Sequence, residues 1–361
     1  MLLIQKIFTE HGSGYLQKYG KDMPPLHKKA LNAIMNCRMP SLGGETYYCS
    51  HCKEYHYSYH SCQNRHCPIC QNKDAEEWLT KQKQLLLPLT YFLATFTIPE
   101  QLRHIARQNQ KLIFNILFKA AADSVKLLAK DPKYLGAEIG MIAILHTWSR
   151  ALMYHPHIHF LIPGGGMDKD EKGIHFSDDD FLMHVKPLSI IFKAKFKDAL
   201  KEKSPELFNK VPSWVWKNKW VVHIKPVGNG ENALTYMAPY VFRVAISNNR
   251  ILKFENSKVT FRYTDSKTER TKIVTLKVFE FIRRFLQHVL PYKFMKVRYY
   301  GFFAVRNKNR LKILRERLFV DASDILNNNE TSKSIPLCCP KCGNPMILVE
   351  TFSKIKLPRA P

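Results

Sequence analysis

With 361 residues, 45% of them hydrophobic, the chain is long enough to bury a sizeable core and to hold more than one domain. Its formal net charge of +26 points to an anionic polymer as partner, nucleic acid first, because neutralising phosphates releases condensed counterions. The start Met1-Leu2-Leu3-Ile4-Gln5-Lys6 lacks the apolar stretch of a signal peptide, and the longest apolar run, Leu85 to Ile98, is broken by Pro88. Secretion and a membrane span are therefore excluded from the expectation, which is a soluble, reduced, cytoplasmic protein.

From the N-terminus, the spacing of Leu26, Ala30, Leu31, Ile34 and Met35 predicts a helix over Pro25 to Cys37. A Gly-, Tyr- and Cys-rich stretch then runs to Gln71 and reads as a small metal-stapled module. Ala75 to Leu87 is helical in pattern. Tyr91 to Ile98, dense in aromatic and β-branched residues and ended by Pro99, predicts a first sheet strand. A long helical region spans Glu100 to Leu128. Two apolar runs, Ile139 to Trp148 and His155 to Ile162, are closed by Pro163 and Gly164-Gly165-Gly166 and predict an antiparallel pair. A helix fits Leu188 to Lys203, a strand Trp220 to Lys225, a helix Asn232 to Val241 and an amphipathic segment Leu276 to Val289. Asp324 to Ser334 is polar enough for a linker, and there is no internal repeat.

The run Tyr154-His155-Pro156-His157-Ile158-His159-Phe160-Leu161 holds the first chemical signal. On a strand its three imidazoles face one side, and Pro156, Ile158 and Phe160 the other. If Ile139 to Trp148 folds back through a turn near Ala151 to Met153, His146 lands opposite His157 or His159 on the same face. His146, His157 and His159 are then the candidate metal ligands. Neutral imidazoles leave the ion's charge uncancelled and positions open to phosphate oxygens, which suits Mg²⁺ or Mn²⁺. A lone histidine such as His223 or His288 is ordinarily a satisfied core or surface residue. Three on one face of a buried-type strand need partners, since each unpaired polar group there costs about 1–3 kcal/mol.

Tyr236 and Tyr240 stand four apart in the predicted helix Asn232 to Val241, so two phenols project from one face and either can reach a phosphate held at one metal ion. The plain alternative is an amphipathic helix whose tyrosines pack on the core. Pro239 between them removes an intrahelical hydrogen bond and predicts a kink, which favours Tyr236 as nucleophile. Arg243, Arg250, Lys253 and Arg262 follow as candidate phosphate contacts.

Nine cysteines fall in two groups, six before Lys73 and three after Pro336. CxxC pairs in a reduced setting read as metal knuckles rather than disulfides. Cys49-x-x-Cys52 and Cys67-x-x-Cys70 have the spacing of a four-thiolate zinc ribbon, with Cys37, Cys62, His60 and His66 as further ligand candidates. Arg65, Lys53, Lys73 and the tyrosines Tyr55, Tyr57 and Tyr59 are candidates for gripping DNA backbone and stacking on bases, against the alternative of packing around zinc loops. Cys338-Cys339-Pro340-Lys341-Cys342-Gly343 is a single knuckle with half a ligand set, either completed by distant residues or a remnant.

These motifs resemble the two-tyrosine HUH transposases of bacterial insertion sequences, the group numbered ninety-one. Ser61-Cys62-Gln63-Asn64-Arg65-His66-Cys67-Pro68-Ile69-Cys70 is similar to the zinc-binding segment of those proteins. Phe96-Thr97-Ile98-Pro99, Leu145-His146-Thr147-Trp148, Gly164-Gly165-Gly166, Arg243-Val244-Ala245-Ile246-Ser247-Asn248 and Leu286-Gln287-His288-Val289-Leu290-Pro291 look like further family landmarks, in order along nearly the whole chain. The order histidine, hairpin, His-hydrophobe-His also resembles conjugative relaxases, supporting His146 by analogy.

The resemblance implies an α+β fold, an antiparallel sheet flanked by helices as in rolling-circle replication initiators, behind a small N-terminal zinc module. The expected domains are 1–78, 79–318 and a linker and cysteine tail at 319–361. It implies cleavage of single-stranded DNA at element ends through a 5′-phosphotyrosine intermediate, strand transfer to a target, structural Zn²⁺, catalytic Mg²⁺ or Mn²⁺, and a bacterial, nucleoid-associated location. Two rival readings are a non-catalytic zinc-dependent DNA-binding protein and a histidine-triad nucleotide hydrolase, which the string His-Pro-His-Ile-His-Phe-Leu also resembles.

Overall fold

A computed structural model of the chain describes residues 2–69, 72–242, 245–265, 268–318 and 337–353. By its contacts the chain divides into two compact units, each discontinuous. One comprises Met1–Lys73, Phe242–Val289 and Leu326–Pro361, the other Asp74–Val241 and Leu290–Ile325.

The second unit is built on a five-stranded sheet in the order Val297–Tyr300, Met141–Trp148, Tyr154–Pro163, Tyr91–Thr97, Val221–Pro226, every neighbouring pair antiparallel. Period-two alternation divides its residues between two faces. One face carries Phe92, Ala94, Phe96, Ala143, Leu145, Ile158, Phe160, Ile162 and Val222, which join the buried side chains of helices Gln110–Ala129 and Val185–Lys203 in a single core. Phe96 is its hinge: its ring meets Phe160 at 5.4 Å and Phe192 at 5.1 Å, both edge to face. Such all-apolar strands form because a sheet covered on both faces requires apolar residues at successive positions. The opposite face carries His146, His157 and His159 among Leu93, Ile142, Ile144 and Leu161.

The first unit begins with helix Leu3–Tyr19 and helix Pro25–Met35. Gly12 faces the Met35 side chain at their contact, which a Cβ there would push aside. Phe8 of the first helix meets Phe285 of helix Val278–Leu286 at 5.0 Å, so distant segments share this small core. A three-stranded antiparallel sheet, Ile251–Glu255, Lys258–Thr264 and Thr271–Lys277, lies in the same unit. A second one sets Gly44–Cys49 between Glu54–Tyr59 and the C-terminal strand Ile347–Phe352.

The mixed fold of antiparallel sheets flanked by helices is the one expected. Two predicted elements differ. The helical region from Glu100 is a 3₁₀ turn Glu100–Leu102, a helix Arg103–Gln108 and a helix Gln110–Ala129. It breaks at Asn109, whose backbone leaves the helical region and whose amide side chain bonds the Ile105 carbonyl at 3.1 Å, competing with the helix ladder. The segment from Leu276 opens as the end of a strand and turns helical only at Val278. The helix with the two tyrosines runs Glu231–Phe242, continuing past Pro239. The predicted linker Asp324 to Ser334 lies outside the described residues. No helix among the described residues is long and apolar enough to cross a membrane.

Candidate active site and metal centres

Strand Met141–Trp148 turns back through Ser149 to Met153, where Leu152 takes a positive φ of 60° and the Ser149 amide bonds the Met153 carbonyl at 2.9 Å. The return strand places His157 directly opposite His146, and His159 opposite Ile144. The three rings pack with centroids 5.2 Å apart for His146–His157, 4.5 Å for His146–His159 and 4.9 Å for His157–His159. One ring nitrogen from each lies within 4.8 Å of the others. His155 shares their face but not their cluster: Arg103 Nη2 donates to its Nδ1 at 2.8 Å.

The electrostatics favour neutral rings. Burial, then the nearby His159 and His157, hold His146 well below the usual imidazole range. Burial and then His159 do the same for His157. Burial with Lys225 brings His159 down to about 4. The tautomer follows from one contact: His157 Nδ1 lies 2.7 Å from the His155 carbonyl, which only accepts, so Nδ1 carries the proton and Nε2 presents its lone pair. His159 Nδ1 is held 2.9 Å from Thr95 Oγ1, which leaves its Nε2 likewise directed at the cluster. Three neutral imidazoles with converging nitrogens, His146 and His159 buried and His157 half-buried, fit a divalent cation.

The helix Glu231–Phe242 starts over this same face. Tyr91 and Thr95 share it by period two, and Gly230, at φ +82°, sits so close to the Tyr91 ring that a Cβ would be 2.8 Å from it. Ala233, Leu234, Met237, Ala238 and Val241 are buried, which puts Tyr236 on the flank of the helix, 43% exposed. The side chain of Tyr240 lies outside the described residues.

The cysteines group differently from the single ribbon expected of Cys49, Cys52, Cys67 and Cys70. Cys49 and Cys52 meet Cys339 and Cys342, whereas Cys67 meets Cys37 and Cys62. Cys70 is outside the described residues. The reason is strand pairing: Ile347–Phe352 lies antiparallel to Gly44–Cys49, with Gly44 opposite Phe352, and carries the C-terminal knuckle to the N-terminal one. Burial raises the Cys339 thiol, but the backbone amides of Cys342 and Lys341 aimed at its sulfur, together with the neighbouring Cys49 and Cys342 thiols, bring it down to about 6.

Two family models match the chain, "Transposase zinc-binding domain" over residues 7–98 and "Putative transposase" over residues 140–310. A protein of Sinorhizobium fredii called "Putative transposase y4qJ" is 36% identical over 325 residues, covering 85% of this chain and 81% of its own. The chain belongs to the IS91-type transposases. The "Transposase for insertion sequence element IS801" of Pseudomonas savastanoi pv. phaseolicola is 26% identical over 292 residues, covering 77% of this chain and 70% of its own. No solved structure matches.

Elsewhere in the transposase the candidate DNA contacts have varied settings. Arg65 is partly buried, which lowers its guanidinium pKa. Arg250 Nε donates to the Arg262 carbonyl at 3.0 Å. Arg243 is outside the described residues. Tyr55 and Tyr57 stand 58% and 61% exposed on one face of the N-terminal sheet rather than packing around a zinc loop. Sequence reasoning missed Thr95 and Arg103, which sort the histidines; a hydroxyl within the apolar run Tyr91 to Ile98 was the available signal for Thr95, whereas Arg103, in the polar stretch Glu100 to Gln110, gave none.

Proposed function

We propose that this transposase cleaves single-stranded DNA at element ends by attack of a tyrosine phenol on phosphorus and transfers the strand in a rolling-circle-type reaction, with Tyr236 and Tyr240 the nucleophiles and Tyr236 the more firmly assigned of the two. The observation that carries this reading is the convergence of His146, His157 and His159 on the sheet face from which the tyrosine helix starts. Those three imidazoles would hold Mg²⁺ or Mn²⁺, which when bound polarises a phosphate oxygen as a Lewis acid. Lys225 near His159 and Lys296 near His146 add positive charge where a phosphate would approach. The zinc-binding segment and the exposed Tyr55 and Tyr57 would grip the strand.

In the first step the Tyr236 phenol gives up its proton and its oxygen bonds to phosphorus. The bond from phosphorus to the 3′-oxygen breaks, and that oxygen takes up a proton as a free 3′-hydroxyl. The 5′-phosphotyrosine ester keeps the energy of the broken bond for rejoining, which hydrolysis would dissipate. Attack of a 3′-hydroxyl on the ester reverses the sequence and restores the phenol. A second tyrosine one turn away allows one strand end to be held while another is cut.

The test is incubation with single-stranded DNA carrying an element end and Mg²⁺, followed by denaturation. Wild-type protein leaves a 5′ end linked to tyrosine. Tyr236→Phe lowers the first cleavage on the order of 10³-fold or more, with DNA affinity near normal. A covalent adduct in the double variant Tyr236→Phe/Tyr240→Phe would overturn the assignment.

A further inference from the structure

The match to the transposase zinc-binding domain ends at residue 98, yet the ligand cluster nearest a complete tetrahedral set draws half its sulfurs from the far end of the chain. We propose that this protein carries two structural zinc ions. One clasps Cys49 and Cys52 of the N-terminal hairpin to Cys339 and Cys342 of the C-terminal knuckle, and the other is held by Cys37, Cys62 and Cys67.

The clasp rests first on distances. Cys49 Sγ lies 3.6 Å from Cys342 Sγ, and Cys339 Sγ lies 3.9 Å from Cys52 Sγ. A tetrahedron with Zn–S bonds of about 2.3 Å has sulfur–sulfur edges of about 3.8 Å. Disulfides require about 2.05 Å, and all four thiols are free.

The two knuckles also share one local conformation. The Lys53 amide bonds the Cys49 carbonyl at 2.8 Å with Lys53 at φ +56°, and the Gly343 amide bonds the Cys339 carbonyl at 2.8 Å with Gly343 at φ +75°. Each pair thus turns two sulfurs towards one point. The Cys52 amide is directed at Cys49 Sγ at 3.4 Å, an orientation suited to a thiolate.

A third argument is energetic. The strand Ile347–Phe352 that brings the C-terminal knuckle home leaves Ile347 61%, Leu348 51% and Val349 54% exposed. Apolar burial does not hold it there. A backbone ladder on one side and a metal at its end supply what the side chains do not, since binding at such a site becomes folding free energy.

The second set shares no residue with the first. Cys37 follows helix Pro25–Met35, and Cys62 and Cys67 lie in the loop after strand Glu54–Tyr59; their sulfurs lie within 4.8 Å of one another.

Zinc content of the full-length protein, measured by atomic emission in a His157→Ala background so that the histidine cluster does not contribute, tests both sites. Two zinc ions per chain are expected. Cys339→Ser/Cys342→Ser and Cys37→Ser/Cys67→Ser should each retain one. Because a lost site can unfold its surroundings, Cys342→His provides a ligand-preserving check: it should keep two ions while the Co²⁺-substituted protein loses part of its sulfur-to-metal absorption. Full zinc content in the tail double variant, or unchanged Co²⁺ absorption in Cys342→His, would overturn the clasp, and a single ion in the parent would overturn the assignment of two ions.

Discussion

His155 and His157 leave one strand on one face two residues apart, yet only His157 joins the cluster. The difference is what each meets: Arg103 donates to His155 Nδ1, while His157 donates its own Nδ1 proton to a carbonyl and keeps Nε2 for a ligand. Thr95 plays the same orienting part for His159. Groups that orient a ligating imidazole typically change metal affinity 10–100-fold when removed, so Thr95→Val is expected to weaken Mn²⁺ binding on the order of 10-fold. His155→Ala, which keeps the carbonyl that His157 uses, should leave Mn²⁺ affinity near the wild-type value. Electron paramagnetic resonance of free Mn²⁺ during titration reads both, and equal loss in the two variants would refute this division of roles.

At the scale of elements, helix Val278–Leu286 carries its own electrostatic clamp. Glu280 accepts from Arg283 Nε at 2.6 Å and from Arg284 Nε at 2.7 Å, spacings of three and four that meet on one helix side. The Arg283 hydrogen bond, ahead of Arg284, brings the Glu280 carboxyl down to about 2, below the usual value of about 4.3. A depressed carboxylate contributes stability that is fully present above its unfolded pKa and is lost as pH falls towards its folded one. The gap in urea midpoint between wild type and Glu280→Gln should therefore be constant above about pH 5 and narrow steadily from there to pH 3. A gap that is flat or widens across that window would refute the clamp.

The same scale shows what the sequence disclosed. Strands rich in β-branched and aromatic residues were legible to within two residues of their ends, as Tyr91–Thr97 and Tyr154–Pro163 show, because burial on both faces leaves a continuous apolar run. The pairing of Met141–Trp148 with Tyr154–Pro163, and with it the opposition of His146 and His157, followed from a short turn. Helix Leu3–Tyr19 was not legible, since Gly12 and Gly14 lower helix propensity and only contact with distant segments explains Gly12. The hairpin through Asn256 and Ser257, both at positive φ, lacked the Asn-Gly pair that usually announces such a turn. The partition of the cysteines was hidden for a further reason: ligand spacing reads local pairs, and a strand returning from residues 347–352 obeys no local rule.

For the whole molecule, 56 basic residues face 30 acidic ones. Several of the acidic groups are already engaged within the fold: Glu138 meets both Arg310 at 2.6 Å and Lys130 at 2.9 Å, Asp265 meets Lys272, and Glu54 meets Lys341. The unmatched charge is thus left to act outward, on a polyanion. Each phosphate neutralised on a single strand releases condensed counterions and adds about −0.7 to the slope of log affinity against log salt. Contact with about six phosphates gives a slope near −4, so raising NaCl from about 50 to about 200 mM should weaken binding of single-stranded DNA of arbitrary sequence on the order of 10²–10³-fold. Fluorescence anisotropy across that range measures the slope directly. Tyr236→Phe, which removes a hydroxyl and no charge, should reproduce the wild-type slope. Replacing Lys225 by Met should reduce the slope's magnitude by a fraction of one unit if that side chain meets a phosphate beside His159, and an affinity indifferent to salt would contradict the view of this transposase as a protein held to DNA chiefly by the backbone's charge.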